Sequence, residues 1–441
     1  MSADLLERAK AAVAAARKRG AQGARAAAVR ERESEIEWRD GKLDRLRDST
    51  RLSLHVTLFV DGRFSQSTTS DLRPAAVEKF LDETIAQTRL LAKDPFRALA
   101  DPASYAGRLT KNLRLRDDQA GSITPDQRRA AVKDLEAAAR SAPSSERIIS
   151  VTTSCSDDLF EGALCCSNGM EGTATRSSFQ RFAEVSVRDD GSRKPEGWWY
   201  AATRHNRALP PAADIGREAT RRAMMQVGAK PQKTGEFACV IENQTAGRLV
   251  SALFEAVEGS AVQQKRSFLT GKVGQPIGSS VFSITDDPHV EAGLGSRYYD
   301  GEGMATRPRP VFERGVLRGY YLDTYYARKL KLEPTSGTRT NLVWGRGTRD
   351  LAGLLKAMGN GILVTGFIGG NSNSATGDFS FGIRGYLVER GQTTRPVTEM
   401  NISGNHLVFW KKLLELGSDP FLYSSNRCPS LRFDKVQFSG V

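Results

Sequence analysis

The stretch RLSLHVTLFVDG, residues 51–62, shows the clearest structural pattern in the chain. Leucine or valine occupies every second position from Leu52 to Val60, and mostly polar residues stand between them. Because successive side chains of a β-strand point to opposite sides, this alternation predicts a strand with one apolar face. Asp61-Gly62 follows it and favours a tight hairpin turn. His55 falls on the mixed face, so we interpret it as a strand-surface residue rather than a metal ligand.

Helical patterns lie on both sides of this strand. Residues 3–19 carry apolar side chains at three- and four-residue steps and end at Gly20, which predicts a first helix. Thr124-Pro125-Asp126-Gln127 has the composition of a capping box at the start of another helix. The remaining predictions for this half are helices at 74–91, 124–141 and 212–227, strands at 36–39, 42–46, 147–153, 162–166 and 173–187, and a hairpin turn at Asp40-Gly41.

The second half of the chain has a different texture. A strand is predicted at 237–241 and a helix at 246–257, with Thr245 as its cap. From Gly259 onward, short apolar runs at 281–284, 361–367, 383–388 and 435–438 alternate with turn residues, which is typical of a β-rich region. We therefore predict an α+β protein with a mixed N-terminal α/β lobe, residues 1–230, and a β-rich C-terminal lobe, residues 235–441.

Composition narrows the function classes. The 441 residues carry a formal net charge of +13, but the basic residues are spread along the chain without a dense basic tail. A nucleic-acid partner is therefore unexpected, and the charge suits a solvated surface or an acidic partner. No apolar run approaches the ~18 residues that a membrane helix requires. Asp4 and Glu7 interrupt the first residues, so we expect no secretory signal and a cytoplasmic protein.

The sequence offers no local metal motif or nucleophile motif. The four histidines, His55, His205, His289 and His406, are separated too widely to form His-Glu-x-x-His on one helix. No Gly-x-Ser-x-Gly elbow is present either, and His406 reads as a surface or structural residue. The five cysteines include no CxxC pair, and we expect them to be small buried hydrophobes. A metal site assembled from residues far apart in the sequence stays open.

A glycine-, serine- and asparagine-rich segment follows the predicted strand 361–367. It lacks the glycine spacing of a nucleotide-binding loop, and Asn360-Gly361 before the strand suits a type I′ turn. Polar loops of this kind either bind peptide backbone or simply turn the chain. The candidate peptide- or partner-binding residues are Asn371, Asn373, Ser374, Thr376, Gly377 and Asp378.

Eight segments in a fixed order carry a resemblance to a known family. They are Ser267–Leu269, Asp286–His289, Asp300–Thr306, Glu313–Leu317, Tyr325–Leu330, Gly359–Thr365, Thr376–Ser380 and Pro396–Gly404. Residues 235–441 thereby resemble the TldD/PmbA family of metalloprotease-related proteins. The N-terminal half is similar more weakly, through Glu33-Ser34, the hairpin at Asp61-Gly62 and Ser167-Asn168-Gly169.

The resemblance also implies where a metal site would lie. Active TldD-type members carry His-Glu-x-x-x-His on a helix, followed later by a cysteine ligand. Matching the family's Glu-Gly to Glu258-Gly259 puts Val250, Ser251 and Glu255 at the positions of His, Glu and His. A shifted match to Phe254–Val257 retains a glutamate but no histidine. Cys428 lies near the place where the cysteine is expected, and no metal is expected in this chain.

This departure resembles the zinc-less TldE/PmbA branch. Membership there implies a non-catalytic subunit that pairs with a zinc-bearing TldD-like metalloprotease subunit and acts on short or unfolded peptides. Two alternatives stay open, namely a stand-alone homodimeric peptide-binding protein and a nucleic-acid- or gyrase-associated modulator. An independently active hydrolase would need a metal site or triad that the sequence does not display.

Overall fold

The computed structural model describes residues 2–143 and 145–441. The elements of the N-terminal lobe are α1 (Ser2–Lys18), β1 (Gly23–Arg39), β2 (Lys42–Val60), β3 (Arg63–Thr69), α2 (Pro74–Thr88), α3 (Pro125–Arg140), β4 (Ile148–Cys166), β5 (Glu171–Val187), β6 (Glu196–Thr203) and α4 (Ala212–Met224). The C-terminal lobe begins with β7 (Gly235–Ile241), α5 (Asn243–Glu255), α6 (Gly259–Gln263), β8 (Ile284–Asp287), β9 (Arg309–Glu313), β10 (Val316–Leu317), α7 (Thr324–Leu330) and β11 (Asn341–Trp344). It continues with α8 (Leu351–Met358), β12 (Gly361–Ser372), β13 (Asp378–Glu389), β14 (Gln392–Asn405), α9 (His406–Phe409), β15 (Leu413–Leu416), β16 (Asn426–Arg427) and β17 (Leu431–Ser439).

The N-terminal strands form one antiparallel sheet in the order β3-β2-β1-β4-β5-β6. Helices α1 and α2 pack on one face of it, against Ala26 of β1 and Leu58 of β2. Helices α3 and α4 cover the same face further along, against Val151 of β4 and Val185 of β5. Because β-strand side chains alternate between faces, this arrangement leaves the other face of the sheet free of helices. That face turns toward the C-terminal lobe, where Leu164 packs in one cluster with Met304.

The C-terminal lobe is built around a ring of strands. One sheet has the order β14-β13-β12-β7-β17-β15, and β14 also pairs with β17, which closes five of these strands on themselves. A smaller sheet, β10-β9-β8-β11-β16, packs against the same core. Helix α5 follows β7 and places Leu249, Val250 and Leu253 among the buried side chains of this core.

The predicted architecture is confirmed in its main features. The chain is α+β, with the mixed lobe first and the β-rich lobe second. The four helices predicted in the first half correspond to α1–α4, with ends that differ by a few residues. Both Asp-Gly turns join adjacent strands, and Asp40, Gly41, Asp61 and Gly62 all have the positive φ of a type I′ turn.

Several details of the prediction are wrong. The two strands predicted at 147–153 and 162–166 are parts of one strand, β4, because β1 and β5 pair with it along its whole length. Helix α5 begins at Asn243 with Glu242 as its cap residue, so Thr245 lies inside it. The run at 281–284 only touches the start of β8. Asn360-Gly361 is not a type I′ turn, since the positive φ belongs to Gly359 at the end of α8.

Two further observations concern the chain as a whole. Across residues 2–143 and 145–441, every helix is too short or too polar to traverse a bilayer. All five cysteines are buried and free, which confirms their interpretation as small apolar side chains.

Candidate functional site

Helix α5 carries the three positions that the resemblance assigns to a metal motif. Val250 is fully buried in the C-terminal core, Ser251 is half-buried, and Glu255 is exposed at the last residue of the helix. Val250 offers no ligand atom and packs among apolar side chains, whereas the Glu255 side chain faces solvent. The structure therefore does not bring these three side chains together as a site.

Cys428 lies close to the beginning of α5 but is not poised to bind a metal. The amide of Asn426 donates to the carbonyl of Gly247 at 3.4 Å, and the backbone N–H of Asn243 donates to Ser430 Oγ at 3.2 Å. Complete burial raises the pKa of the Cys428 thiol well above its usual value. Metals bind the thiolate form, so this burial opposes ligation. In the part of the chain that the structure describes, no three His, Cys, Asp or Glu side chains are grouped to hold an ion.

The histidines occupy separate surroundings. His55 is exposed on the strand face opposite the apolar row and contacts Ser53 and Thr68, which confirms its interpretation as a surface residue. His205 Nε2 lies 2.8 Å from the carbonyl of Arg114, and His289 lies 3.4 Å from the Thr306 hydroxyl.

The polar loop predicted as a contact site connects β12 to β13. The side chains of Asn371, Asn373, Thr376 and Asp378 are exposed, Ser374 is half-buried and Gly377 is buried. Internal hydrogen bonds hold its shape, because Phe268 N–H donates to Ser374 O at 2.9 Å and Asn405 Nδ2 donates to Thr376 O at 2.9 Å. Asn405 also donates to the Asp378 carboxylate at 2.8 Å, which lowers the pKa of Asp378. The loop is thus an ordered polar surface.

His406 forms the support beneath this loop. Its Nδ1 accepts a hydrogen bond from Trp410 Nε1 at 3.0 Å, so the ring proton resides on Nε2 and points to Ser372 Oγ at 3.2 Å. The ring stacks on Phe268 with centroids 5.6 Å apart. Burial lowers the pKa of His406 to about 4. His406 is therefore a neutral structural residue, which confirms the structural half of its interpretation and excludes the surface one.

A large cavity, which sequence reasoning missed, lies between the two lobes. It has a volume of about 1010 Å³ and is bounded by the helix-free face of the N-terminal sheet, by residues 112–119, and by Ser296–Gly301. We call it the inter-lobe cavity. Its floor consists of the small side chains Ala27, Val29, Gly162 and Ala174. Alternating small residues on the non-helical face of β1 and β4 were the available signal, but their strand partners could not be inferred from the sequence.

Asp300 is the most perturbed carboxylate at this cavity. It is 5% exposed, and its Oδ1 accepts hydrogen bonds from the backbone N–H groups of Glu302 at 2.9 Å and Met304 at 3.0 Å. Desolvation nevertheless raises its pKa to about 6. The segment Asp300–Thr306 was recognised in the sequence only as part of the resemblance, and its position at the cavity comes from the tertiary structure.

Family models match most of the chain in three consecutive parts. The PmbA/TldA metallopeptidase domain 1 matches residues 24–88, the central domain matches 118–227, and the C-terminal domain matches 234–440. These ranges include α5, the β12–β13 loop and much of the lining of the inter-lobe cavity.

Individual relatives agree with these matches. A solved structure from Bacteroides thetaiotaomicron, of a protein named as a modulator of DNA gyrase, has a TM-score of 0.94 and 39% identity, covering 99% of this chain and 98% of that one. The metalloprotease PmbA of Escherichia coli O157:H7 is 25% identical over 412 residues, 92% of this chain and 89% of that protein. TldE from Thermococcus kodakarensis shares the fold with a TM-score of 0.87 at 20% identity, over 98% of this chain and all of that one. The chain belongs to the PmbA/TldD metallopeptidase family.

Proposed function

We propose that this chain is the non-catalytic subunit of a heterodimeric TldD/TldE-type metalloprotease, and that it acts in the cytoplasm on short or unfolded peptides. A TldD-like partner subunit supplies the zinc and the hydrolytic residues. The observation that carries this proposal is the composition of α5. Val250 stands where the family motif has its first histidine, and it is packed in the apolar core.

The residues present here do not fit a catalytic zinc. A zinc site in a hydrolase needs about three nitrogen, sulfur or oxygen ligands that converge on one point. Val250 has no ligand atom, Glu255 points elsewhere, and the buried thiol of Cys428 is held in its protonated form. No hydrolytic step is therefore assigned to a metal in this chain.

What this subunit contributes is binding and orientation of the peptide. Strand β2 pairs with β1 over its whole length, whereas β3 pairs with it only from Leu54 onward. Among the described strands, residues 42–53 of β2 thus offer an open edge to which an extended peptide can add as a further strand. The exposed side chains of the β12–β13 loop offer a second, polar contact to peptide or partner.

The decisive experiment is reconstitution of the pair. Three preparations are compared: this chain alone, a homologue that carries His-Glu-x-x-x-His alone, and the two expressed together. Each is analysed for zinc and for digestion of unstructured peptides. We expect zinc and cleavage only when the homologue is present, and we expect the pair to be more active than the homologue alone. Stoichiometric zinc and peptide cleavage by this chain alone would overturn the proposal. Peptide binding by a homodimer without any effect on the homologue would favour the stand-alone alternative, and salt-sensitive DNA binding would favour the modulator alternative.

The loop makes a separate prediction for the same assay. Replacing Asn371, Asn373 and Thr376 together by alanine removes three exposed polar side chains, and we expect peptide cleavage by the pair to fall several-fold. The matched control replaces the exposed Gln392 and Thr393 by alanine at the start of β14, which lies at the end of β13 opposite to the loop. Equal activity of the two variants would remove the loop from the binding surface.

A further inference from the structure

The floor of the inter-lobe cavity leaves room above the centre of the N-terminal sheet. Val29 of β1, Gly162 of β4 and Ala174 of β5 are direct cross-strand neighbours, and all three face the cavity. Side chains as small as these neither fill the space nor offer charge. Binding specificity must therefore come from the residues at the walls.

Arg176 is a wall residue whose hydrogen-bonding capacity is unused while its guanidinium group is held in place. Its guanidinium carbon lies 3.7 Å from the ring centroid of Phe160, its cross-strand partner, so the guanidinium is fixed by stacking. Gly162 makes room for this ring, because a Cβ there would lie 2.7 Å from Phe160 Cζ. Arg176 makes no hydrogen bond or ion pair with any described residue, and it remains accessible to water inside the cavity.

Other guanidinium groups surround the same space. Arg114 and Arg116 line it but are paired with Glu291 and Glu161, and Arg207 lines it at an exposed position. Arg297 lines the cavity and donates to the carbonyls of Thr338 at 2.6 Å and Arg339 at 3.2 Å, while its Nε is buried without a partner in the described structure. Arg204, behind the wall, donates to the carbonyls of Ser177, Gly293 and Leu294. Among the described residues, Arg176, Arg204 and Arg297 form no ion pair with a carboxylate.

The nearby acidic groups attract Arg176 and Arg297 but form no ion pair with them in the described structure. Asp117 is occupied by the backbone N–H groups of Gln119 and Asn206, and Asp300 accepts from the backbone at Glu302 and Met304. Asp118 is exposed, and Glu31 lies two strands away from Arg176 on the same face. Desolvation lowers the pKa of Arg176, Arg204 and Arg297. Repulsion by Arg297 lowers the pKa of Arg176 further, and repulsion by Arg176 lowers that of Arg204, whereas Glu31 partly offsets the shift at Arg176 and Asp300 and Asp286 partly offset it at Arg297. Arginines therefore outnumber carboxylates in the cavity lining, and Arg176 and Arg297 form no ion pair with a carboxylate among the described residues.

The dimensions argue for an organic ligand rather than a small inorganic ion. The cavity volume of about 1010 Å³ is at the upper end of typical small-molecule sites, which span ~300–1,000 Å³. A second recess of about 410 Å³ shares Arg297, Asp300 and Gly301 with it and extends toward Gln66 and Tyr325. An elongated ligand could thus place an anionic end at Arg176 and extend its remainder past Asp300.

We propose that the inter-lobe cavity binds the carboxylate end of a short peptide, with Arg176 as the bidentate partner of the carboxylate and Arg297 as the second cation. Guanidinium groups match carboxylates through two parallel hydrogen bonds, which a stacked and otherwise unpaired arginine is ready to make. This inference rests on the proposed peptide-processing function and adds a preference for peptides that carry a free carboxylate. The carboxylate comes from the peptide C-terminus or from an aspartate or glutamate side chain.

Direct binding measurements on the full chain, alone and in the reconstituted pair, test this proposal. The probes are N-terminally labelled pentapeptides in three forms: a free C-terminal acid, a C-terminal amide, and an amide with one internal glutamate. We expect the free acid to bind at least about tenfold more tightly than the plain amide. Arg176→Gln should abolish this difference, Arg176→Lys should retain part of it, and Arg217→Gln, at an exposed arginine of α4, should leave it unchanged.

Each outcome decides between clear alternatives. If the glutamate-bearing amide binds as tightly as the free acid, the ligand is an acidic side chain and the carboxylate site stands. Each of four results would overturn the site. The free acid and the plain amide bind with equal affinity, or the Arg176→Gln variant still binds the free acid tightly. Alternatively, no peptide binds in either preparation, or inorganic phosphate binds more tightly than the free acid. Because these measurements need no hydrolysis, unaltered cleavage by a pair carrying Arg176→Gln would leave the proposed function intact while removing this inference.

Discussion

At the scale of single residues, His406 links the chemistry of the core to the shape of the β12–β13 loop. Both of its ring nitrogens are used in the neutral form, by Trp410 and Ser372, and aromatic rings surround it. Protonation would place a second N–H against the indole donor and a charge in an apolar environment. The uncharged imidazole is therefore one of the groups that hold the loop in place, beside the hydrogen bonds made by Phe268 and Asn405.

A pH dependence of stability follows. The folded-state pKa of His406 is about 4, below the ordinary value of 6.5, so its neutral form stabilises the protein fully above pH 6.5. This contribution, up to about 3 kcal/mol, is lost as the pH falls from 6.5 toward 4. Urea unfolding across this range should show a steeper loss for the wild type than for His406→Gln. The control variant His55→Gln, at an exposed histidine, should follow the wild-type curve. Parallel curves for the wild type and His406→Gln would contradict this prediction.

At the scale of elements, α3 is stabilised by a complete capping box. Gln127 N–H donates to Thr124 Oγ1 at 3.2 Å, and Thr124 N–H donates to Gln127 Oε1 at 2.8 Å. Thr124→Ala removes the first of these bonds, and we expect the free energy of unfolding to fall by about 1 kcal/mol. Chemical denaturation measures the change. Thr270→Ala, at an exposed threonine with no side-chain hydrogen bond in the described structure, should have almost no effect.

The strands show where local pattern stops being informative. Residues 23–35, GARAAAVRERESE, consist largely of good helix formers, and sequence reasoning assigned them no strand. They form most of β1 because β2 and β4 pair with them on both sides, and because Ala24, Ala26 and Ala28 meet the helices through a period of two. In the same way, Ser156, Asp157 and Asp158 belong to β4 although their sequence resembles a loop, because β1 and β5 pair with them on both sides. Pairing with strands distant in sequence overrode local preference in both cases.

At the scale of the whole molecule, a buried ion pair joins the two lobes. Arg222 of α4 donates to Glu242, the residue before α5, at 2.6 Å, and their side chains are only 8% and 11% exposed. Arg222 also stacks on Trp199 with its guanidinium carbon 4.3 Å from the ring centroid. Since Glu242 Oε2 is buried without a partner among the described residues, removal of Arg222 would leave an uncompensated carboxylate between the lobes.

We therefore expect Arg222→Met to lower the free energy of unfolding by about 3–5 kcal/mol. The double variant with Glu242→Gln should recover part of this loss, because the unpaired charge is gone. A double-mutant cycle, measured by urea unfolding, isolates the coupling between the two side chains. Additive effects of the two substitutions would show that the ion pair does not couple the lobes.

Features that depend on neighbours along the chain could be predicted from the amino-acid sequence. It gave the helices α1–α4, the two Asp-Gly hairpin turns, the α+β class, and the family through ordered motifs; it also showed that Val250, Ser251 and Glu255 lack the imidazoles of a metal motif. The full extents of β1 and β4, the core position of Val250, and the inter-lobe cavity with Arg176, Arg297 and Asp300 became visible in the three-dimensional fold and not in the sequence. The physical reason is that helix periodicity, caps and tight turns are set by residues a few positions apart. Strand partners and cavity walls instead bring together residues more than a hundred positions apart, and one chain read alone does not encode those contacts in any local pattern.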